Sequence, residues 1–124
     1  MGQWYDTDGE NVWPVSALET PLDRGHWVVA KTKVADWEVS TVFLGLDHSF
    51  GGPPPVLWET MVFGIPGGRD VQVRYTSAAD ARDGHAGIVA RLTAGREAIL
   101  AAEAERQRAE DLLTGLLAEV EVSP

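Results

Sequence analysis

Residues 39–64 place side chains that could do chemistry at the ends of two strongly β-prone runs. Asp47 and His48 directly follow the first run, and Glu59 lies within the second. Imidazole and carboxylate groups suit Zn²⁺, Mn²⁺ or Fe²⁺, and His85 could complete such a set if the fold brought it near. His85 lies on an apolar helix face, however, which is more typical of a hydrogen-bonded core histidine. The sequence therefore favours a site without a metal.

The sequence also lacks the patterns of covalent catalysis. Ser40 and Ser49 lie near His48, but neither occupies a Gly-Xaa-Ser-Xaa-Gly turn, which presents a nucleophile between a strand and a helix. The loop at residues 51–55 is rich in glycine and proline, yet no Gly-Lys-Ser/Thr follows it as a phosphate loop requires. We predict a protein that has no catalytic residues, is not an enzyme and needs no cofactor.

Glu59 has two interpretations. Its strand register places it among apolar residues, where a carboxylate needs a partner because burying an unpaired charge is costly. Arg74 is the obvious partner for a purely structural ion pair. The functional interpretation is a pocket in which aromatic rings stack on a base, arginine binds a phosphate and a carboxylate accepts from an amino or hydroxyl group. The predicted ligand-binding residues are Asp47, His48, Trp58, Glu59, Arg74 and Tyr75.

Composition limits the partners. The chain has 124 residues, a net charge of −9 and no cysteine. The length suits one domain with its own core, and the acidic balance opposes binding to nucleic acid, which needs clustered lysine and arginine. Because no apolar run is long enough to cross a bilayer and no signal-peptide pattern opens the chain, we expect a cytoplasmic protein with no membrane or nucleic-acid partner.

Four segments have the composition and partial alternation of β-strands: residues 26–34, 37–47, 56–64 and 71–75. The connections between them are short, which predicts an antiparallel meander. Both faces of the segment at 37–47 are largely apolar, so we expect this strand to be central.

Residues 77–121 change to helical periodicity. Ser77 is a suitable N-cap, with Asp80 as its capping-box partner. After an interruption at residues 93–95, apolar residues recur at alternating spacings of 3 and 4, as at the a and d positions of a coiled coil. We call this set the C-terminal stripe: Ile99, Ala102, Arg106, Ala109, Leu113, Leu116 and Val120.

These elements predict an α+β fold. We expect an antiparallel sheet of about four strands packed against one helix, plus a long C-terminal helix for self-association. The α+β core is placed at residues 1–93 and the amphipathic helix at 94–124, within the same folding unit. Arg106 on the C-terminal stripe is expected to meet an acidic residue of a second copy or the phosphate of a ligand.

Several sequence motifs occur in order along the chain. They are YDTDG at 5–9, VSTVFLGLDHSF at 39–50, ETMVFG at 59–64, RYTS at 74–77 and GH at 84–85. In these motifs the chain resembles a widespread family of small bacteriophage and prophage proteins. The family carries no established activity, so the resemblance implies a phage origin and a coherent fold.

The sequence is compatible with three functions. The first, which we favour, is a non-enzymatic phage protein that binds a small anionic ligand and sequesters a nucleotide-type immune signal of the host. The second is an inhibitor that binds a host defence enzyme. The third is a small metal-dependent enzyme, which requires Asp47, His48, Glu59 and His85 to converge.

Overall fold

The computed structural model describes residues 2–16, 27–50, 52–65 and 71–122. Six strands precede one long helix along the chain. The strands are β1 (Trp4–Thr7), β2 (Val12–Val15), β3 (Val28–Val34), β4 (Trp37–Phe43), β5 (Trp58–Phe63) and β6 (Val71–Tyr75), and the helix is α1 (Ala78–Val122). The chain divides into two compact units, Met1–Ala90 and Arg91–Pro124.

The main sheet is an antiparallel meander with the strand order β3-β4-β5-β6. This confirms the predicted α+β class, and β4 is a central strand because both of its edges are paired. A second sheet consists of the hairpin β1–β2, which the sequence did not predict as strands. The sequence DTDGE at residues 6–10 is typical of a turn, and residues 8–11, which overlap it, connect the two strands of this hairpin.

The two faces of the main sheet have different environments. Side chains alternate along each strand, so Phe43 and its cross-strand partner Trp58 share one face, while Glu59 lies on the other. Trp27, Phe43 and Trp58 form the aromatic centre of the core, with ring centroids 5.2 and 5.4 Å apart in edge-to-face arrangements. Such arrangements are favourable because the electropositive ring edge meets the electronegative ring face.

Helix α1 begins at the predicted cap. The Ser77 hydroxyl accepts a hydrogen bond of 3.0 Å from the backbone N–H of Asp80, which satisfies one of the free donors of the first turn. The buried side chains that follow recur at helical spacing: Ala78, Ala81, His85 and Ile88. The small alanines allow the helix backbone to approach the core closely.

The predicted interruption of the helix at residues 93–95 is wrong, since α1 runs without a break through this segment. An isolated glycine costs a helix about 1 kcal/mol relative to alanine, which neighbouring helix-forming residues offset. From residue 101 to residue 120 every side chain is exposed, including Leu113, Leu116 and Val120 of the C-terminal stripe.

A chain of buried hydrogen bonds joins α1 to the sheet. The His85 ring accepts or donates at both nitrogens: Nδ1 lies 2.7 Å from the Thr41 hydroxyl, and Nε2 lies 2.9 Å from the Thr32 hydroxyl. Thr41 in turn bonds Thr60 on the neighbouring strand, and Thr60 accepts from the Tyr75 hydroxyl. His85 is therefore the core histidine that its apolar surroundings indicated, and burial lowers its pKa because a charged ring would lose its hydration.

Gly84 allows this chain to form. A Cβ at position 84 would collide with the Tyr75 ring, 2.5 Å from its Cε1 and Cζ atoms. Glycine therefore lets α1 lie directly over Tyr75. The adjacent pair Gly84 and His85 thus has a packing role.

We expect Gly84→Ala to lower the free energy of unfolding by about 1–3 kcal/mol, because the added methyl group must displace the Tyr75 ring. The measurement is urea denaturation followed by circular dichroism. Gly95→Ala is the matched control in the same helix, since no atom of the described chain outside the local helix lies within 4 Å of the added Cβ. That control should instead increase helicity. Equal stability changes in the two variants would contradict the packing role of Gly84.

Candidate functional site

The best-formed cavity in the first unit has a volume of about 350 Å³. Its walls come from the β1–β2 turn, the start of β3, the end of β4, the start of β5 and the second turn of α1. The lining residues are Thr7, Asp8, Gly9, Glu10, Trp27, Val28, Val29, Phe43, Trp58 and Arg82. We call this cavity the hairpin pocket. Polar groups therefore line one side of it and apolar groups the other.

The polar side is held by the turn of the β1–β2 hairpin. The Asp8 carboxylate accepts hydrogen bonds from the backbone N–H of Asn11 at 2.7 Å and of Glu10 at 2.9 Å, and from the Asn11 amide at 3.2 Å. These bonds from Asn11 and Glu10 lower the pKa of Asp8, so the carboxylate stays ionised. Gly9 occupies the left-handed region with φ of 105°, which closes the turn at no steric cost.

An ion pair joins two of the residues that line the hairpin pocket. Arg82 on α1 and Glu10 on the hairpin approach to 2.9 Å, and both side chains line the cavity. Arg82 precedes His85 by about one helical turn, so the helix placement described above directs its side chain to the cavity. The guanidinium is the group there that could bind an anion.

The apolar side consists mainly of Trp27, Phe43 and Trp58, all buried in the core. Because they are buried, only small parts of their rings face the cavity. Trp27 approaches the backbone at Gly45, where φ is 79° and a Cβ would lie 2.6 Å from the Trp27 ring. The glycine thus permits the tryptophan to close the base of the hairpin pocket.

Of the six predicted ligand-binding residues, Trp58 lines the hairpin pocket. Asp47 and His48 organise the loop between β4 and β5. Asp47 accepts from the backbone N–H groups of Ser49 at 2.8 Å and Val56 at 2.9 Å, and His48 Nδ1 lies 2.6 Å from the Leu46 carbonyl oxygen. Both side chains therefore have loop-forming contacts.

Glu59, Arg74 and Tyr75 are divided between the two faces of the sheet. Glu59 accepts from Arg74 at 3.0 Å and from the Gln72 amide at 2.6 Å on the face opposite Thr60. Tyr75 lies on the other face, where its hydroxyl donates to Thr60 at 3.1 Å. The structural interpretation of the Glu59–Arg74 pair describes the observed contact, and these three residues do not form one pocket.

The metal-site hypothesis gains no support. Glu59 is buried on one face of the sheet and His85 bonds threonines on the other, helix-covered face, so the fold separates them. Within the part of the chain that the structure describes, no three His, Asp or Glu side chains lie close enough to hold a metal ion.

Sequence reasoning missed Asp8, Glu10, Trp27 and Arg82. The turn residues 6–10 were assigned only to a turn, and nothing in the local sequence indicates that Arg82, on a helix far along the chain, meets Glu10.

Comparison of the chain with protein-family models, with curated proteins and with solved structures gave no match. Among the described residues, no helix has the length and apolar character that crossing a bilayer requires. The hairpin pocket is therefore the feature of the molecule from which a function can be inferred.

We expect Asp47→Ala to lower the free energy of unfolding by about 2 kcal/mol, because two backbone N–H groups lose their acceptor. Asp47→Asn, which keeps one acceptor oxygen, should lose less. Urea denaturation at pH 7 measures both.

The pH dependence gives a second test of the Asp47 variant. Burial raises the pKa of Asp47, but hydrogen bonds from Ser49 and Val56 outweigh it, and the net pKa lies below 3.8. The carboxylate's contribution is complete above that value and is lost as the pH falls through the pKa of the folded state. The gap between the natural protein and Asp47→Ala should therefore narrow as the pH falls below 3.8. A variant as stable as the natural protein at pH 7 would overturn the structural role.

Proposed function

We propose that this chain is a non-enzymatic phage accessory protein that binds a nucleotide-type ligand in the hairpin pocket. Acting in the host cytoplasm, it sequesters a nucleotide signal of bacterial defence. One observation carries the proposal: the Arg82 side chain and the rings of Trp27 and Trp58 line the same cavity of about 350 Å³.

The size and chemistry of the hairpin pocket support this ligand class. Pockets for small molecules typically have volumes of about 300–1,000 Å³ and combine apolar walls with a few polar groups. The aromatic base suits the flat face or edge of a nucleobase. Arg82 suits a phosphate, and the Asp8 carboxylate suits an exocyclic amino group or a ribose hydroxyl.

Binding without catalysis fits the placement of the reactive side chains. The His85 imidazole is buried between two threonine hydroxyls, and the His48 ring is bonded through Nδ1 to the Leu46 carbonyl oxygen. Asp47 is held by loop hydrogen bonds, and Glu59 by Arg74 and Gln72. A protein that captures a signal needs affinity and no turnover.

An inhibitor that binds a host protein is the second candidate, and Phe50 favours it. This side chain is 99% exposed in the β4–β5 loop that Asp47 organises. Large exposed aromatic residues often anchor protein interfaces. A net charge of −9 would complement a basic partner.

The ligand proposal also includes self-association through the C-terminal stripe. Burying exposed Leu113, Leu116 and Val120 against a second copy would remove apolar surface from water. Glu105 precedes Arg106 directly and Glu110 follows it by about one helical turn, so a second copy can supply the acidic partner that an arginine at such a position requires.

For the ligand, we expect native mass spectrometry of protein from phage-infected cells to show a bound molecule of nucleotide mass. Val29→Trp should lower the affinity for that molecule by about tenfold or more, because Val29 lines the cavity and packs against its aromatic rings, so the indole fills the space. The matched control is Val71→Trp, the same change at an exposed position of the other edge strand. A protein that carries no ligand, and shows no thermal shift with cyclic or linear nucleotides, would favour the inhibitor, for which Phe50→Ser is the variant to compare in partner capture.

For self-association, we expect Leu113→Gln to raise the dissociation constant of the oligomer by about tenfold or more, since each copy loses a buried leucine. Leu100→Gln is the matched control, because Leu100 is exposed but lies outside the C-terminal stripe. Light scattering after size-exclusion chromatography, at several concentrations, measures the mass. A monomeric natural protein, or equal effects of the two variants, would refute assembly through this stripe.

A further inference from the structure

We propose that Glu10 and the phosphate of a nucleotide ligand compete for the same position beside Arg82 in the hairpin pocket. The Glu10 carboxylate pairs with Arg82, and the phosphate of an incoming nucleotide replaces this carboxylate. This inference rests on the proposed function and deepens it, because it makes the Glu10–Arg82 pair the element that distinguishes a phosphorylated ligand from a neutral one.

The exposure of the Glu10–Arg82 ion pair allows a ligand to replace Glu10 as the partner of Arg82. Arg82 and Glu10 are 2.9 Å apart, and their side chains are 46% and 65% exposed. Ion pairs with this exposure contribute little net stability, since water competes for both charges. Breaking the contact is therefore inexpensive, and the guanidinium becomes available to a ligand without disturbing the core.

Glu10 can move, whereas Asp8 cannot. The Asp8 carboxylate accepts three hydrogen bonds that hold the turn together. Glu10 contributes its backbone N–H to that turn, so its side chain can leave Arg82 while the turn remains intact. Of the two carboxylates at the rim, Glu10 is the one that competes reversibly for the cation.

Arg82 is the fixed half of the pair. Its backbone follows the fully buried Ala81, and one turn later His85 is hydrogen-bonded to the sheet. A guanidinium presents its N–H groups as a planar fork that matches two oxygens of a phosphate. A phosphate can offer both oxygens and more negative charge than the Glu10 carboxylate, so it is the stronger partner.

The consequence is selectivity by charge. A nucleoside enters the cavity without a group that displaces Glu10 and leaves the ion pair in place. A nucleotide gains the Arg82 contact but must overcome competition from Glu10. Removing the competing carboxylate should therefore strengthen nucleotide binding and leave nucleoside binding unchanged.

The experiment is isothermal titration of AMP, adenosine and inorganic pyrophosphate into the full-length protein. For Glu10→Gln we expect AMP and pyrophosphate to bind about threefold tighter, and adenosine to bind as before. For Arg82→Gln we expect a loss of about tenfold or more for AMP, down to the affinity of adenosine.

The exposed pair Lys31–Glu38 provides matched controls, because it lies on another part of the sheet with an N–O distance of 3.8 Å. Glu38→Gln and Lys31→Gln make the same changes in net charge, and both should leave all three affinities unchanged. Circular dichroism and the melting temperature verify that each variant is folded.

The outcomes separate the two proposals. If AMP binds the natural protein but Glu10→Gln behaves like Glu38→Gln, the exchange is wrong and the ligand function stands. If pyrophosphate binding depends on Arg82 and rises in Glu10→Gln while no nucleotide binds, the exchange stands and the nucleotide function fails. If none of the three probes binds any variant, both proposals are overturned.

Discussion

The hydrogen bonds of His85 fix helix α1 on the sheet, and the rest of the first unit depends on that placement. The ring is 6% exposed and contacts threonine hydroxyls on two neighbouring strands, Thr32 and Thr41. Directional bonds at both nitrogens fix the rotation of the helix about its axis, which apolar packing alone specifies less sharply. That rotation sets Gly84 against Tyr75 and directs Arg82 to the hairpin pocket.

A polar residue in an apolar segment does not reveal by type whether it serves the fold or a ligand. Glu59 and Asp47 were the most reactive-looking side chains of the sequence, and both complete local hydrogen-bond networks. The physical reason is general, because a buried carboxylate must find donors and the neighbouring strand or loop supplies them first. Arg82 differs from these two residues, because its side chain is 46% exposed and lines the hairpin pocket.

The sequence was sufficient for the main sheet, because strongly alternating, β-branched runs and short connections leave few arrangements. Ser77 likewise marked the start of α1 through its capping chemistry. The β1–β2 hairpin could not be found in this way, since its strands have 4 residues each and one of them contains Pro14. The hairpin pocket could not be predicted from the sequence for a different reason. It joins Glu10 to Arg82 and Trp27 to Trp58, and such pairs depend on the tertiary fold.

The proposed binding of an anion by an acidic chain is contradictory only if the charge is treated as uniform. At physiological ionic strength a charge is screened over about 8 Å, so an acidic side chain farther than that from the hairpin pocket acts weakly on a ligand there. What remains is the local set of Asp8, Glu10 and Arg82. Asp8 is committed to the turn, so the balance between Glu10 and Arg82 decides whether the cavity accepts negative charge. The overall acidity instead disfavours extended polyanions, which contact a much larger surface than one nucleotide does. The same composition that argues against nucleic acid is therefore compatible with the capture of a single phosphorylated molecule.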